Sequence, residues 1–223
     1  MGITLAEEIV LLSLDDGSGV ARQRQSAGWA AAGAILLELV MAERVVVAGK
    51  HLELRDTSST GEQLLDDRVL LIKAWLRGRA KGRVTDWLTK DHAKAVGAVL
   101  RRLVERGLVA EEVTKVLGMF PQRRYPEVDG AVERALRERL RVVVLDGAEP
   151  DERTAGLIAL IHSAKLHRLA FPDRRPSSVA PRTAEIAAGQ WAAESVRSAI
   201  RDVQAAMVTM TVVTTVTVAP PAG

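Results

Sequence analysis

The stretch from Ser26 to Arg44, SAGWAAAGAILLELVMAER, limits the fold more than any other part of the chain. Trp29, Ile35, Leu36, Leu39 and Val40 recur at steps of three and four, the spacing of one helical face. Ala30, Ala31, Ala32, Gly33 and Ala34 fill most of the rest, so other helices can approach closely on nearly every side. A helix that is apolar almost all round belongs in a protein core or a membrane. Glu38 is the only charge between Arg24 and Glu43. It interrupts the run before it reaches the roughly 20 residues of a membrane span. The expectation is a central helix in a soluble, mostly helical domain.

The rest of the composition agrees. With 48% hydrophobic and 26% charged residues the chain is globular rather than disordered, and with 3% aromatics its core must be aliphatic. No cysteine is present, which excludes disulfides, thiol nucleophiles and thiolate metal sites and suits a reducing compartment. A net charge of +3 and a pI near 9.5 permit an anionic partner such as lipid head groups or nucleic acid. The opening MGITLAEEIV lacks the basic region of a signal peptide and has no Ser or Thr where a myristoylation motif needs one.

Taken in order, Thr4 and Glu7 form a capping box for a first helix carrying Ile9, Leu11, Leu12 and Leu14, which ends in the turn Asp15-Asp16-Gly17-Ser18-Gly19. Arg44 to Arg55 reads as a hairpin turning at Ala48-Gly49-Lys50. Glu62 to Arg77 is an amphipathic helix with Leu64, Leu65, Val69, Ile72 and Leu76 as its core stripe. Val84 to Leu88 is a short helical piece, and Lys90 to Gly107 a separate helix stopped by Gly107. Leu108 to Tyr125 forms a second hairpin, with a turn at Pro121-Gln122. Helices are expected over Val128 to Val144 and Glu152 to Leu169, a loop over Ala170 to Pro181, and mostly helix from Thr183 to about Thr215. The C-terminal run from Ala205 to Ala219 is too short to span a bilayer and reads as a buried helix. Residues 1–219 are expected to form a single domain, with 220–223 a frayed tail.

Several stretches together resemble the Golgi phosphoprotein 3 family. ITLAEEIVLLSLDDGSG matches its opening T-L-x-E-E, Leu-rich run and D-x-x-G turn, and ILLELVMAER its central helix, with Glu38, Leu39 and Arg44 in place. TGEQLLDD (Thr60 to Asp67) is similar to T-G-x-x-L-L-D, Trp87 to a kept Trp, LVERGLV (Leu103 to Val109) to L-V-E-x-G, and LIALI (Leu157 to Ile161) to L-L-A-L-I. Order and spacing hold from Thr4 to Leu169. The Ala- and Arg-rich, Cys-free composition points to a bacterial member of actinobacterial type. The resemblance implies a mainly α fold, a central apolar helix in a helical bundle wrapped by amphipathic helices, with two small β-hairpins. It further implies a non-enzymatic peripheral protein on the cytoplasmic side of a membrane. Its eukaryotic members bind phosphatidylinositol 4-phosphate, retain glycosyltransferase clients, insert a hairpin into the bilayer and in some cases oligomerise through it.

The family's head-group pocket uses a Trp and three Arg, and the matching positions here are Gln23, Ala32, Ala93 and Val96, none of them charged. A substitute basic site is expected from Arg22, Arg24, Lys94 and Arg101, on neighbouring helical turns, with Lys90 and Arg102 close by. In the second hairpin, Leu117, Met119 and Phe120 supply an apolar tip and Arg123 and Arg124 an adjacent basic edge, the pairing an interfacial anchor needs. Burying Met119 and Phe120 would contribute ~1.5–3 kcal/mol each and each cation at an anionic surface about 1 kcal/mol. The four histidines show no metal-ligand spacing, His162 and His167 pointing about 140° apart on a continuous helix. No nucleophile elbow, P-loop or dinucleotide motif occurs, and the adjacent acids Asp66-Asp67 and Glu111-Glu112 read as solvated. Neither a metal nor a cofactor is expected. The alternative is a winged-helix DNA-binding regulator, with Arg123 and Arg124 on the wing. The helix before it offers few base-reading side chains, so nucleic acid is not the expected partner.

Overall fold

The computed structural model describes residues 2–116, 119–189 and 194–216, with 116, 194, 195 and 210–216 as backbone only. The protein is mainly helical. Helix α1 (Leu5–Leu12) opens on the expected capping box: the Thr4 hydroxyl accepts from the Glu7 N–H at 3.1 Å, and the Glu7 carboxylate accepts from the Thr4 N–H at 2.6 Å. Every residue of α1 is buried. The central helix α2 (Arg24–Met41) begins two residues before the expected Ser26 and ends three before the expected Arg44. Its Ala and Gly positions bring α1 and the later helices α4 (Val84–Glu105), α6 (Glu152–Ser163) and α9 (Glu194–Val216) onto it from several sides. Gly28 shows why small residues are needed, since a Cβ there would sit 2.8 Å from the His92 carbonyl oxygen. Gly33 plays the same part against Leu160 and Val203.

Strands β1 (Val45–Ala48) and β2 (His51–Leu54) pair antiparallel around Gly49-Lys50, both with positive φ (56° and 69°), the backbone of a tight two-residue turn. A third strand, β3 (Gly82–Arg83), joins β2 and escaped the sequence reading because two residues carry no alternation. Helix α3 (Gln63–Leu76) buries its expected stripe, and the buried Arg68–Asp91 pair at 3.0 Å fastens it to α4. The two helical pieces expected over Val84 to Gly107 are one helix, α4 (Val84–Glu105). Thr89 and Lys90 break the apolar pattern only because they lie on its exposed side. Gly107, at φ 69°, ends it as expected.

Strands β4 (Glu112–Val116) and β5 (Phe120–Arg124) form the second hairpin. The register Lys115↔Pro121 and Val116↔Phe120 puts Pro121 and Gln122 inside β5 rather than in the turn. A two-stranded hairpin tolerates Pro121 because both of its strands are edges. Helices α5 (Ala131–Val144), α6 (Glu152–Ser163) and α7 (His167–Ala170) follow. Lys165, at φ 56°, separates α6 from α7. This break corrects the divergence expected of two histidines: His162 Nδ1 and His167 Nε2 both lie 3.0 Å from the Thr183 hydroxyl. The expected loop of Ala170 to Pro181 is half helix, because Pro176 begins α8 (Pro176–Ala187) at the position where proline costs nothing. Gly189, at φ 81°, lies between α8 and the long α9 (Glu194–Val216). The buried apolar residues from Leu5 to Met207 form one continuous cluster. Among the described residues no helix is long and apolar enough to cross a membrane.

Candidate functional site

Most recurrent motif residues turn out to hold the scaffold. Glu7, Glu8, Glu38 and Glu62 are all buried, and each meets arginine. Arg106 pairs with Glu7 at 2.8 Å and with Glu62, and Arg102 meets Glu62 at 2.9 Å. Arg139 meets Glu8 at 2.9 Å. Arg153 reaches Glu38 at 2.6 Å, the Ile3 carbonyl at 2.6 Å and Glu8 at 3.4 Å. Burial pushes the Glu38 carboxyl up despite its hydrogen bonds from Arg153 and the Leu5 N–H. Asp66 is no solvated acid either: it accepts from the Thr60 N–H at 2.7 Å and the Ser59 hydroxyl at 2.5 Å, shaping the loop before α3. These four carboxylates and four guanidiniums neutralise one another, so the network offers an anion no excess charge.

Unbalanced positive charge lies elsewhere, in a cleft of about 790 Å³ between the N-terminus of α2, the last turns of α4 and strand β5. Arg24, Arg101 and Arg123 line it, with Gln122 and Tyr125. Arg24 and Arg101 are exposed and lie within ion-pair distance of no carboxylate among the described residues. Arg123 pairs with Glu111 at 3.1 Å, so the cleft keeps an excess of two positive charges. Arg24 is the first residue of an 18-residue helix whose N-cap, Gln23, sits at φ 44° and gives no side-chain cap. The first-turn N–H groups therefore add a partial positive charge beside the guanidinium. Helix dipole and Arg24 repel each other until an anion joins them.

Of the four cations expected to form a substitute site, the structure brings together two, Arg24 and Arg101. Arg22 is instead bound to Asp15 of the preceding turn. Lys94 lies outside the cleft, near enough to Asp91 to act on its charge. It continues the exposed α4 face from Arg101 towards Lys90, a spacing of seven and then four residues. Of the positions matched to the family's pocket, Ala32 is fully buried and Val96 is buried against Gly28, whereas Gln23 and Ala93 are exposed. Beside Ala93, the rings of His92 and Trp29 stack 4.1 Å apart and within 3° of parallel.

The D-x-x-G turn sets the cleft's far wall. Asp15 accepts from the Ser18 N–H at 2.8 Å, and Gly19, at φ 64°, accepts at its carbonyl from the Tyr125 N–H at 2.7 Å. A Cβ on Gly19 would collide with the Tyr125 and Pro126 backbone. Sequence reasoning missed Tyr125 and Gln122, which carry no local signal beyond following two arginines or a proline. The hairpin tip points outward: Met119 is 75% and Phe120 61% exposed, with Val113 at 63% on the same hairpin. No other element packs on β4 or β5 to more than a marginal extent. Leu117 lies outside the described residues. Arg124 is half-buried, with its Nε shielded from water and unpartnered, so it faces the protein more than an external surface.

The Golgi phosphoprotein 3 (GPP34) family model matches residues 5–203. The chain belongs to the Golgi phosphoprotein 3 family. A search of curated proteins found no match. The motifs that carry the resemblance converge on the buried network, the part that fixes the fold. Helix α4, the recognition helix of the winged-helix alternative, buries Ala95, Val96, Val99, Leu100 and Leu103 and packs along α2, leaving Lys90, Lys94 and Arg101 on its exposed face.

Proposed function

We propose that this Golgi phosphoprotein 3 family member is a non-catalytic peripheral membrane protein that binds anionic phospholipid. By family likeness its head group is of the phosphatidylinositol 4-phosphate kind. The cleft of Arg24 and Arg101, two guanidiniums without carboxylate partners beside an uncapped helix N-terminus, carries this reading. A phosphomonoester is the ligand that such a site suits, since guanidinium and backbone N–H groups both donate to phosphate oxygens. The neighbouring tip supplies the second half: Met119 and Phe120 enter the bilayer interface while the cleft takes the head group. One apolar anchor plus a few cations gives reversible attachment, in keeping with a protein on the cytoplasmic face rather than within the membrane.

The test is sedimentation with anionic vesicles. Arg24→Ala with Arg101→Ala lowers binding and flattens its salt dependence, because the two charges that counter-ions screen are gone. Met119→Ser with Phe120→Ser lowers binding several-fold and leaves the salt dependence intact. Unchanged binding in the arginine variant would overturn the cleft, and unchanged binding in the tip variant would overturn the anchor.

A further inference from the structure

The positive charge of the chain has one source. Residues 73–90, KAWLRGRAKGRVTDWLTK, hold six Lys and Arg against one carboxylate, Asp86, while the other residues hold 25 Lys and Arg against 27 acids. All six cations are exposed, as is Lys50 on the β1–β2 turn that β3 adjoins. None of the seven lies within ion-pair distance of a carboxylate among the described residues, although twelve other arginines of the chain do. This concentration is built rather than frayed. The loop after α3 folds back on Trp75: the ring covers Gly82, where no side chain would fit, and the Arg79 guanidinium lies 5.8 Å from its centroid. Pairing of Gly82 and Arg83 with Leu52 and His51 fixes the other end.

Beside these cations, α3 exposes Leu70 and Leu71, by 58% and 44%. Leu70, Ala74 and Arg77 share one helical face at steps of four and three, with Lys73 on its flank. Nucleic acid would leave those leucines without a partner, and no ring here is free to stack on bases, because Trp75 is half-buried between Trp87, Arg79 and Gly82. Exposed leucine rimmed by unpaired Lys and Arg matches the interface of an anionic bilayer, which takes apolar groups below the head groups and cations among them. This surface lies at the start of α4 and the Arg24–Arg101 cleft near its end, about 25 Å apart along the helix axis.

We infer that the α3 C-terminal end, through Leu70, Leu71, Lys73, Arg77, Lys81 and Arg83, is a second contact surface for anionic phospholipid, separate from the cleft. It shares with the cleft reading only the class of ligand and requires no head-group selectivity. Two moderate contacts on one molecule multiply, because the second binds at the effective concentration set by the first.

The test uses the full chain and vesicles of phosphatidylcholine containing one third phosphatidylglycerol. In the variant Lys73→Gln, Arg77→Gln, Lys81→Gln and Arg83→Gln, Arg79 keeps its place over Trp75, and circular dichroism checks the fold. Each cation near such a surface is worth roughly a factor of five at low salt, so removing four gives an expected loss of partitioning of about six hundredfold. Leu70→Ser with Leu71→Ser should lose several-fold with an unchanged salt slope, a second readout that does not depend on charge. Partitioning of the four-fold variant equal to wild type overturns the inference. So does a variant that keeps its vesicle binding while losing affinity for duplex DNA, which would make this a nucleic-acid surface. A loss here with no loss in the Arg24→Ala, Arg101→Ala variant upholds this surface and sinks the cleft, and the reverse pattern does the opposite.

Discussion

Arg153→Met is the substitution that most directly tests how this fold is held. The guanidinium reaches Glu38 and the Ile3 carbonyl at 2.6 Å each and Glu8 at 3.4 Å. It thereby ties α6 to the start of α1 and the middle of α2. Glu38 is 8% exposed and Glu8 4%. Methionine keeps the apolar stem and removes the charge, leaving Glu38 with only the Leu5 N–H and Glu8 with only Arg139. Breaking a fully buried pair costs about 3–5 kcal/mol. Because the Arg153 side chain is 31% exposed, water replaces part of what is lost, and about 2–3 kcal/mol is expected. Burial already holds the Glu38 carboxyl above its usual range, and removing Arg153 lifts it further. A carboxyl raised in the folded state leaves that state with more bound protons than the unfolded chain, so stability falls as pH rises through the window above its usual value. The deficit of the variant should therefore be smaller at pH 5 than at pH 8. Urea unfolding followed by circular dichroism at both pH values measures it. Arg139→Met, which removes one contact from a side chain 36% exposed, should cost about 1 kcal/mol and serves as the control. A loss below about 0.5 kcal/mol for Arg153→Met, the range of ordinary surface substitutions, would refute the reasoning, and so would a deficit that does not change with pH.

Two further outcomes follow from the turn and the acid pair beneath the hairpin. Gly19→Ala places a Cβ at φ 64° against the Tyr125 and Pro126 backbone; it should cost at least about 2 kcal/mol, seen as a lowered Tm, and unchanged melting would remove the turn from the account of how the cleft wall is set. Glu127 is pushed up to about 8 by desolvation first, then by its hydrogen bond with and the charge of Glu133. The folded protein thus holds a proton that the unfolded chain releases near 4.5, and stability declines as pH rises across that window. Glu127→Gln should flatten the decline, which amounts to about 1 kcal/mol after solvent screening; an identical pH profile in thermal melts would contradict the pairing.

What the sequence could reveal was local. The Thr4–Glu7 capping box, the Gly49-Lys50 turn and the α3 stripe are each complete within a few residues, and each stands as read. Where a signal depended on partners distant in the chain, it misled. Thr89 and Lys90 looked like a break and are the wet side of one helix; Pro176 and Pro181 looked like a loop, yet the first simply opens α8. The candidate site divides the same way. Met119 and Phe120 are legible as an apolar pair at the hairpin's end, and both are exposed. The expected site joins Arg24 and Arg101 with Arg22 and Lys94, and only the packing of α2 on α4 singles out the two that line a common cleft. Arg22 and Lys94 look equivalent to them in sequence, but Arg22 is held by Asp15 and Lys94 lies outside the cleft. The basic run of 73–90 is legible as composition, whereas its lack of ion partners exists only in three dimensions.

The central claim is that an anionic head group sits between Arg24 and Arg101. Co-sedimentation at fixed salt measures it, comparing neutral vesicles, vesicles with phosphatidylglycerol, and charge-matched vesicles with phosphatidylinositol 4-phosphate, each with the wild type and with Arg24→Ala, Arg101→Ala. The account predicts little pelleting with neutral vesicles and the strongest with phosphatidylinositol 4-phosphate, that preference vanishing in the variant. Pelleting that is equal on both anionic sets and unaltered by the two substitutions would contradict it.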